Sequence, residues 1–278
     1  MMTFTLFDVG HGFCAYAEGP NGTNTLFDCG HDDPWFRPSV YFPGRGVNVI
    51  NRMVLGNFDR DHVSDLQNLA DKVFIQHFIR NRSLTTEQLR QLKLQAGPLS
   101  SGMQAALKLH TDAVHPNAAI DYAGVELTTF HNPYPIFTDT NNLSLVSFLQ
   151  YGGSCICIPG DLETAGWKEL LKKPLFCAYL ALVDIFIASH HGRTSGYCKE
   201  VFEYCSPALV LISDKEIVHD TQETDYTNHA RGIVWNDSAT EKRYVLTTRC
   251  DGHMVITKEP SQGFFITASN RALSAKAG

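Results

Sequence analysis

Four times along this chain an apolar run of strand length stops at acidic or imidazole side chains. Residues 52–55 run into Asn57-Phe58-Asp59-Arg60-Asp61-His62, 125–130 into His131, 154–158 into Gly160-Asp161, and 183–188 into Ser189-His190-His191-Gly192. Short runs of Val, Ile, Leu and Phe bounded by turn residues are buried strands. Polar loops leaving the ends of such strands are where layered α/β proteins place their chemistry. Carboxylates and imidazoles at several strand ends converge on one rim, which is what a metal site needs. The pattern constrains the chain to packed sheets with outer helices and one polar edge.

The remaining residues fit that frame. Residues 3–9, 13–18 and 24–28 read as three strands, parted by Gly10-His11-Gly12 and by the turn Gly19-Pro20-Asn21-Gly22. A second meander spans 125–130, 144–150 and 154–158, with Tyr151-Gly152-Gly153 as its turn. Helices are predicted over 85–94 with Thr85 as N-cap, and over 100–110, 162–171 and 196–205. Residues 31–46 mix Pro34, Pro38 and Pro43 with Trp35, Phe36, Tyr41 and Phe42, an ordered loop with aromatic anchors that can cover a site. The element order predicts a four-layer αββα sandwich, one domain over 1–278, with inserted loops at about 31–46 and 214–242.

Composition limits the function. A net charge of −6 leaves no global positive field to hold a polyanion, so any such partner needs a local patch or metal ions. Residues 1–12 enter a strand directly, without a basic segment or a long apolar one, and the apolar stretch 176–188 is broken by Asp184. The expectation is a cytoplasmic chain with no membrane contact, its eight cysteines reduced and mostly packed in the core. Twelve histidines are many for this length, and in a metalloenzyme a good share of them would gather in one place.

The order Asp8-Val9-Gly10-His11-Gly12, Phe27-Asp28-Cys29-Gly30, Asn57-x-Asp59-x-Asp61-His62, Gly160-Asp161 and Ser189-His190-His191-Gly192 resembles the metallo-β-lactamase superfamily. Within it the likeness is to the hydrolase domain of ComEC-type competence proteins. The resemblance covers roughly 3–257 and implies the same αββα sandwich. It also implies two divalent metal ions, zinc or manganese, held by Asp59, Asp61, His62, His131, Asp161 and His190. Asp28 would orient the ligands from behind. Asn57 stands where the family's motif begins with His, and an amide binds divalent metals more weakly than imidazole, which leaves a looser first site or a held water. Spacing leaves open which of His190 and His191 ligates, since neighbours at a strand end point opposite ways.

The chemistry expected is metal-dependent hydrolysis of a phosphodiester, by a phosphodiesterase or nuclease. Asp61 would hold the attacking hydroxide, and His229 or His191 would stabilise charge or protonate the leaving group. Arg60, Arg193 and Arg231, together with Arg249, would form a cationic rim, and the aromatic residues of 31–46 would stack bases, so the expected partner is a nucleic acid or nucleotide. The oligomeric state is not expressed in the sequence. Two readings stand beside this one: hydrolysis of a non-phosphate ester, thioester or lactam, and a non-catalytic binding module.

Overall fold

The computed structural model describes residues 1–32, 36–112, 120–215, 221–235 and 238–269, with backbone alone for 110–112 and 238–240. Trp35, His115 and His219 lie outside the described residues. The first half runs β1 (Met2–Leu6), β2 (Ala15–Glu18), β3 (Asn24–Phe27), α1 (Pro38–Gly44), β4 (Val49–Ile50), β5 (Arg52–Val54), α2 (Arg60–Val63), α3 (Leu66–Ala70), β6 (Phe74–Ile75), β7 (Phe78–Ile79), α4 (Thr86–Gln95) and α5 (Ser101–Asp112). The second runs β8 (Glu126–His131), β9 (Leu145–Tyr151), β10 (Ser154–Ile158), α6 (Thr164–Leu170), α7 (Pro174–Leu180), β11 (Ile185–Ile187), β12 (Leu209–Ile212), α8 (Glu223–Thr227), β13 (Ile233–Trp235), β14 (Ser238–Arg243), β15 (Val245–Thr247), α9 (Thr248–Asp251), β16 (Met254–Lys258) and β17 (Phe264–Ala268).

Two sheets dominate. One has the order β17-β16-β1-β2-β3-β5-β7, the other β15-β12-β11-β10-β9-β8. Side-chain alternation assigns each layer its core. Met2, Phe4 and Leu6 of β1 meet Ile156 and Ile158 of β10, Ile185 and Ile187 of β11, and Leu209 and Leu211 of β12 between the sheets. The opposite faces of the same strands, Cys155, Cys157, Phe186, Val210 and Ile212, pack under Trp167 and Leu170 of α6 and Phe176 and Leu180 of α7. The first sheet sends Tyr16 and Leu26 the other way, onto Phe42 of α1, Leu66 and Leu69 of α3, Leu89 of α4 and Met103 of α5. Three apolar interfaces between four layers make the αββα sandwich that the element order predicts. Strands covered on both sides read as continuous apolar runs, and truncating one of their inner leucines, as in Leu211→Ala, costs about 2–5 kcal/mol.

Strand direction sets where the polar loops emerge. β10, β11, β12 and β15 are parallel neighbours, as are β3, β5 and β7. Their carboxyl ends share one edge of the sandwich, and the Leu145 amide donates to the Gly56 carbonyl across it at 2.8 Å.

Several local expectations change. Residues 38–44 are helical rather than looped, with Pro38 in the first turn where a missing amide is harmless. Two of the aromatic anchors, Phe36 and Phe42, are consumed by the core. Phe36 stacks on Phe7 at 4.6 Å and Phe42 meets Tyr16 at 4.9 Å, leaving these rings 6% and 1% exposed and unable to receive bases. The helix expected over 196–205 is a short 3₁₀ turn at Lys199–Glu203. β17 adds an edge strand beyond the expected last one. All eight cysteines are free thiols, and the described residues contain no helix long and apolar enough to cross a membrane.

Candidate metal centre

The loop after β5 is held against the loop after β3 by one carboxylate. Asp28 takes a left-handed conformation (φ 56); its Oδ1 accepts the Gly56 amide at 2.6 Å, and its Oδ2 accepts Nδ1–H of His62 at 2.7 Å. Close approach is possible because residue 30 is glycine: a Cβ there would lie 1.5 Å from the Asp61 carbonyl oxygen. The Cys29 amide then donates to the His62 carbonyl and the Phe13 amide to the Asp61 carbonyl. Asp161 arrives from the end of β10, its amide donating to Ser144 Oγ at 3.2 Å. His191 arrives from the end of β11 on a strained turn, in which His190 (φ 50, ψ 48) and His191 (φ 55, ψ 28) are both left-handed.

Asp61, His62, Asp161 and His191 thereby bring four ligand atoms within 4.8 Å of one another. The tautomers are legible from the partners. A carbonyl only accepts, so His191 Nδ1–H donates to Ser213 O at 2.8 Å and leaves its Nε2 lone pair facing Asp61 Oδ2 at 3.2 Å. Likewise His62, donating to Asp28, turns Nε2 toward Asp161 Oδ1 at 3.0 Å, and this buried nitrogen has no hydrogen-bond partner. Two imidazole lone pairs aimed at two carboxylates repel unless positive charge lies among them. The donor set, two nitrogens and two carboxylate oxygens with both imidazoles oriented from behind, fits a divalent ion such as zinc or manganese.

Electrostatics point the same way. Burial opposes ionisation of Asp161, yet His62 and His191 outweigh it and bring its pKa down to about 2. Asp61, against the same opposition, is held below the usual carboxylate range by the hydrogen bond that a protonated His191 donates to it and by the charge of His62. Burial disfavours the imidazolium of His62, but Asp161 and Asp28 raise its pKa well above 6.5, and Asp161 and Asp61 do the same more mildly for His191. Burial pushes Asp28 up, against His62. The cluster demands positive charge, which protons on the imidazoles or a cation can supply.

The other expected site residues fall elsewhere. Asp59 leaves the four-ligand group for Lys93 at 2.5 Å and Thr140 at 3.0 Å. Asn57 donates to Asn141 Oδ1 and Ser144 Oγ and accepts the Asp59 amide, so its polar atoms are engaged within the protein rather than by a water. His131, at the end of β8, is outside the group; burial and Lys173 lower its pKa. His190, expected as the ligand of its pair, is also outside it: Arg193 donates to its Nε2 at 3.2 Å and Ser195 lies 3.0 Å from its Nδ1. His191 takes that place, because both residues are left-handed and the turn swings the second imidazole inward. His229 stacks on Phe202 at 4.3 Å and shares a hydrogen bond with Tyr197 OH, with no contact to the group. Arg231 binds the Ser206 carbonyl and Asp184, which precedes β11, so it sits at the end of that strand opposite the site. Arg249 is taken by Asp214 and Glu223.

Arg60 does face the site. It lines a cavity of roughly 540 Å³ with His11, His31, Asp59, Asp61 and Lys93. His11 Nε2 lies 3.3 Å from Asp61 and is approached by Arg193 at 3.3 Å, so this opening-loop histidine and Arg193 form one rim. Lys93, Ser213 and His31 are absent from the sequence expectations. Lys93 is one of several charged residues on a surface helix, Ser213 contributes only its carbonyl, and His31 carries no spacing signal.

No protein-family model matches the chain. Over 228 residues it is 22% identical to ComE operon protein 3 of Bacillus subtilis (strain 168), a match covering 75% of this chain and 28% of that protein's length. Among solved structures, a diphosphatase of the PhnP family is similar over 93% of this chain and 98% of its own, at 11% identity and a TM-score of 0.47. The BLEG-1 B3 metallo-β-lactamase is similar over 57% of this chain and 71% of its own, at 14% identity and a TM-score of 0.34. The chain thus spans little more than a quarter of the length of the curated relative it matches.

Proposed function

We propose that this chain is a metal-dependent hydrolase of phosphodiester bonds, a phosphodiesterase or nuclease acting on a nucleic acid or nucleotide. The observation that carries the reading is the convergence of Asp61, His62, Asp161 and His191 beside a cavity whose wall bears Arg60 and Lys93. A divalent ion bound there, zinc or manganese, supplies Lewis acidity and lowers the pKa of water. The chain's own residues do the rest. Asp28 and the Ser213 carbonyl hold the two imidazoles in the ligating tautomer. Asp61, the most open of the four, stands where the group meets the cavity and can hold an incoming water by accepting a hydrogen bond from it. Arg60 and Lys93 give a phosphate oxyanion charge-assisted partners that a neutral lactam or ester does not need. The rim formed by His11 and Arg193 is positioned to face a leaving group.

The test is hydrolysis of bis(4-nitrophenyl) phosphate, single- and double-stranded DNA and RNA by zinc- or manganese-loaded protein, beside a carboxylic ester and a β-lactam. Phosphodiester cleavage abolished by chelation is expected. Cleavage of the ester or lactam alone would move the chain to the non-phosphate reading, and tight ion binding without hydrolysis would make it a binding module.

A further inference from the structure

The cavity wall carries a second carboxylate whose charge is answered from within the chain. Asp59 stands two residues before Asp61 and lines the same cavity, but it turns to Lys93 of α4. Thr140 Oγ1 donates to both of its oxygens, at 3.0 and 3.1 Å. Asn57, the next donor along the loop, has its amide engaged by Asn141 and Ser144 and its oxygen by the Asp59 amide. Among the described residues one group alone brings three or more ligand atoms together, and Asp59 is not in it. A second ion at this end of the loop would therefore meet one carboxylate already paired with an ammonium and one amide oxygen already accepting the Asp59 N–H.

Lys93 is placed to do more than neutralise Asp59. Its side chain is 15% exposed, it reaches the site from the last turn of α4, and it lines the cavity. An ammonium has three N–H donors, of which Asp59 accepts one. We propose that Lys93 supplies, as a fixed ammonium, the second positive charge of this site: the chain holds one divalent ion, and Lys93 grips a phosphate oxyanion of the substrate in the cavity beside the four-ligand group. The phosphate contact rests on the phosphodiester reading above; the single ion does not.

Titration calorimetry of the chelator-treated full chain with Mn²⁺ tests the count. Wild type is expected to bind one ion, Asp59→Asn one ion with Kd within about threefold of wild type, and Asp161→Asn none. Two ions per wild-type chain, or a count lowered by Asp59→Asn, overturns the single-ion site. Inorganic phosphate titrated into the Mn²⁺-loaded protein tests the lysine. Lys93→Met and Lys93→Gln, with melting curves checked for folding, should weaken phosphate about tenfold, as expected for loss of a charge-assisted hydrogen bond. The double variant Lys93→Met/Asp59→Asn should stay equally weak. If it regains wild-type phosphate affinity, or if the single variants never lose it, Lys93 only neutralises Asp59 and the phosphate contact is wrong. Failure of the phosphodiester reading would look different: ion count and phosphate affinity as expected, with bis(4-nitrophenyl) phosphate untouched.

Discussion

The loop 57–62 is one short segment with two opposite fates. Its second half, Asp61 and His62, turns into the group that converges with Asp161 and His191, where each side chain faces a partner from another strand end. Its first half, Asn57 and Asp59, turns into a network of amides, hydroxyls and an ammonium. The difference lies in what waits on each side. The second half meets the carboxylates of Asp28 and Asp161 and the imidazole of His191, a set whose negative charge is answered by protons on the imidazoles or by a cation. The first half meets Lys93, Thr140, Asn141 and Ser144, which already satisfy a carboxylate and an amide. Residue type alone does not decide whether an aspartate in such a motif ligates; the groups opposite it do.

Removing a carboxylate from the converging half should have the largest effect. Asp161→Asn keeps the shape and deletes the charge that His62 and His191 face. It should weaken Zn²⁺ or Mn²⁺ binding about a thousandfold or more and abolish hydrolysis. Wild-type affinity in a calorimetric titration would show that the group is an ion-pair cluster and not a metal centre.

One step back, Asp28→Asn tests how the imidazole is aimed. With an amide NH₂ against Nδ1, His62 would switch tautomer and present N–H where its lone pair is needed. Loss of such an orienting carboxylate typically costs 10–100-fold in metal affinity, and that range is expected here. An unchanged Kd would mean that Asp28 serves only the Gly56 amide.

These residues also show how far the sequence could be read. The strand-then-loop rhythm and the alternation of β10 to β12 expose the four layers, because burial on both sheet faces leaves a direct compositional trace. The convergence of Asp61, His62 and Asp161 is legible for the same reason, as polar groups at the ends of apolar runs. The choice between His190 and His191 is not, because it rests on two successive left-handed residues that no composition signals. Lys93 is hidden because a lysine late in an amphipathic helix looks the same whether it faces water or a carboxylate brought from 34 positions away. His229 and Arg231 look like site residues by position, yet a stacked phenylalanine and the far end of β11 claim them.

The two halves should also differ in how they couple to stability. Ion at one hundred times Kd stabilises a native state by about 2.7 kcal/mol, so chelation should lower the melting temperature by about 5 °C or more. Asp59→Asn should keep that metal-dependent shift and Asp161→Asn should lose it, as read by scanning calorimetry with and without EDTA. Protons compete for the same imidazoles, whose pKa values the neighbouring carboxylates raise. Affinity should therefore fall as pH drops, by about tenfold per pH unit for each proton displaced.

The smallest effect belongs to His190, whose contrast with its neighbour His191 is sharpest in sequence. Both hold left-handed backbone, which costs a side chain about 1–2 kcal/mol relative to the ordinary region. His190→Gly would release that strain while losing the contacts with Ser195 and Arg193, and Gly adds its own entropy cost on folding. These terms oppose one another, so His190→Gly should shift the melting temperature of the metal-free protein by no more than about 2 °C. It should also leave metal affinity within about threefold. His191→Gly relieves the same strain but removes a ligand, and its metal-dependent stabilisation should vanish. If instead His190→Gly loses the ion and His191→Gly keeps it, the inward turn at Ser189–Gly192 is assigned to the wrong imidazole.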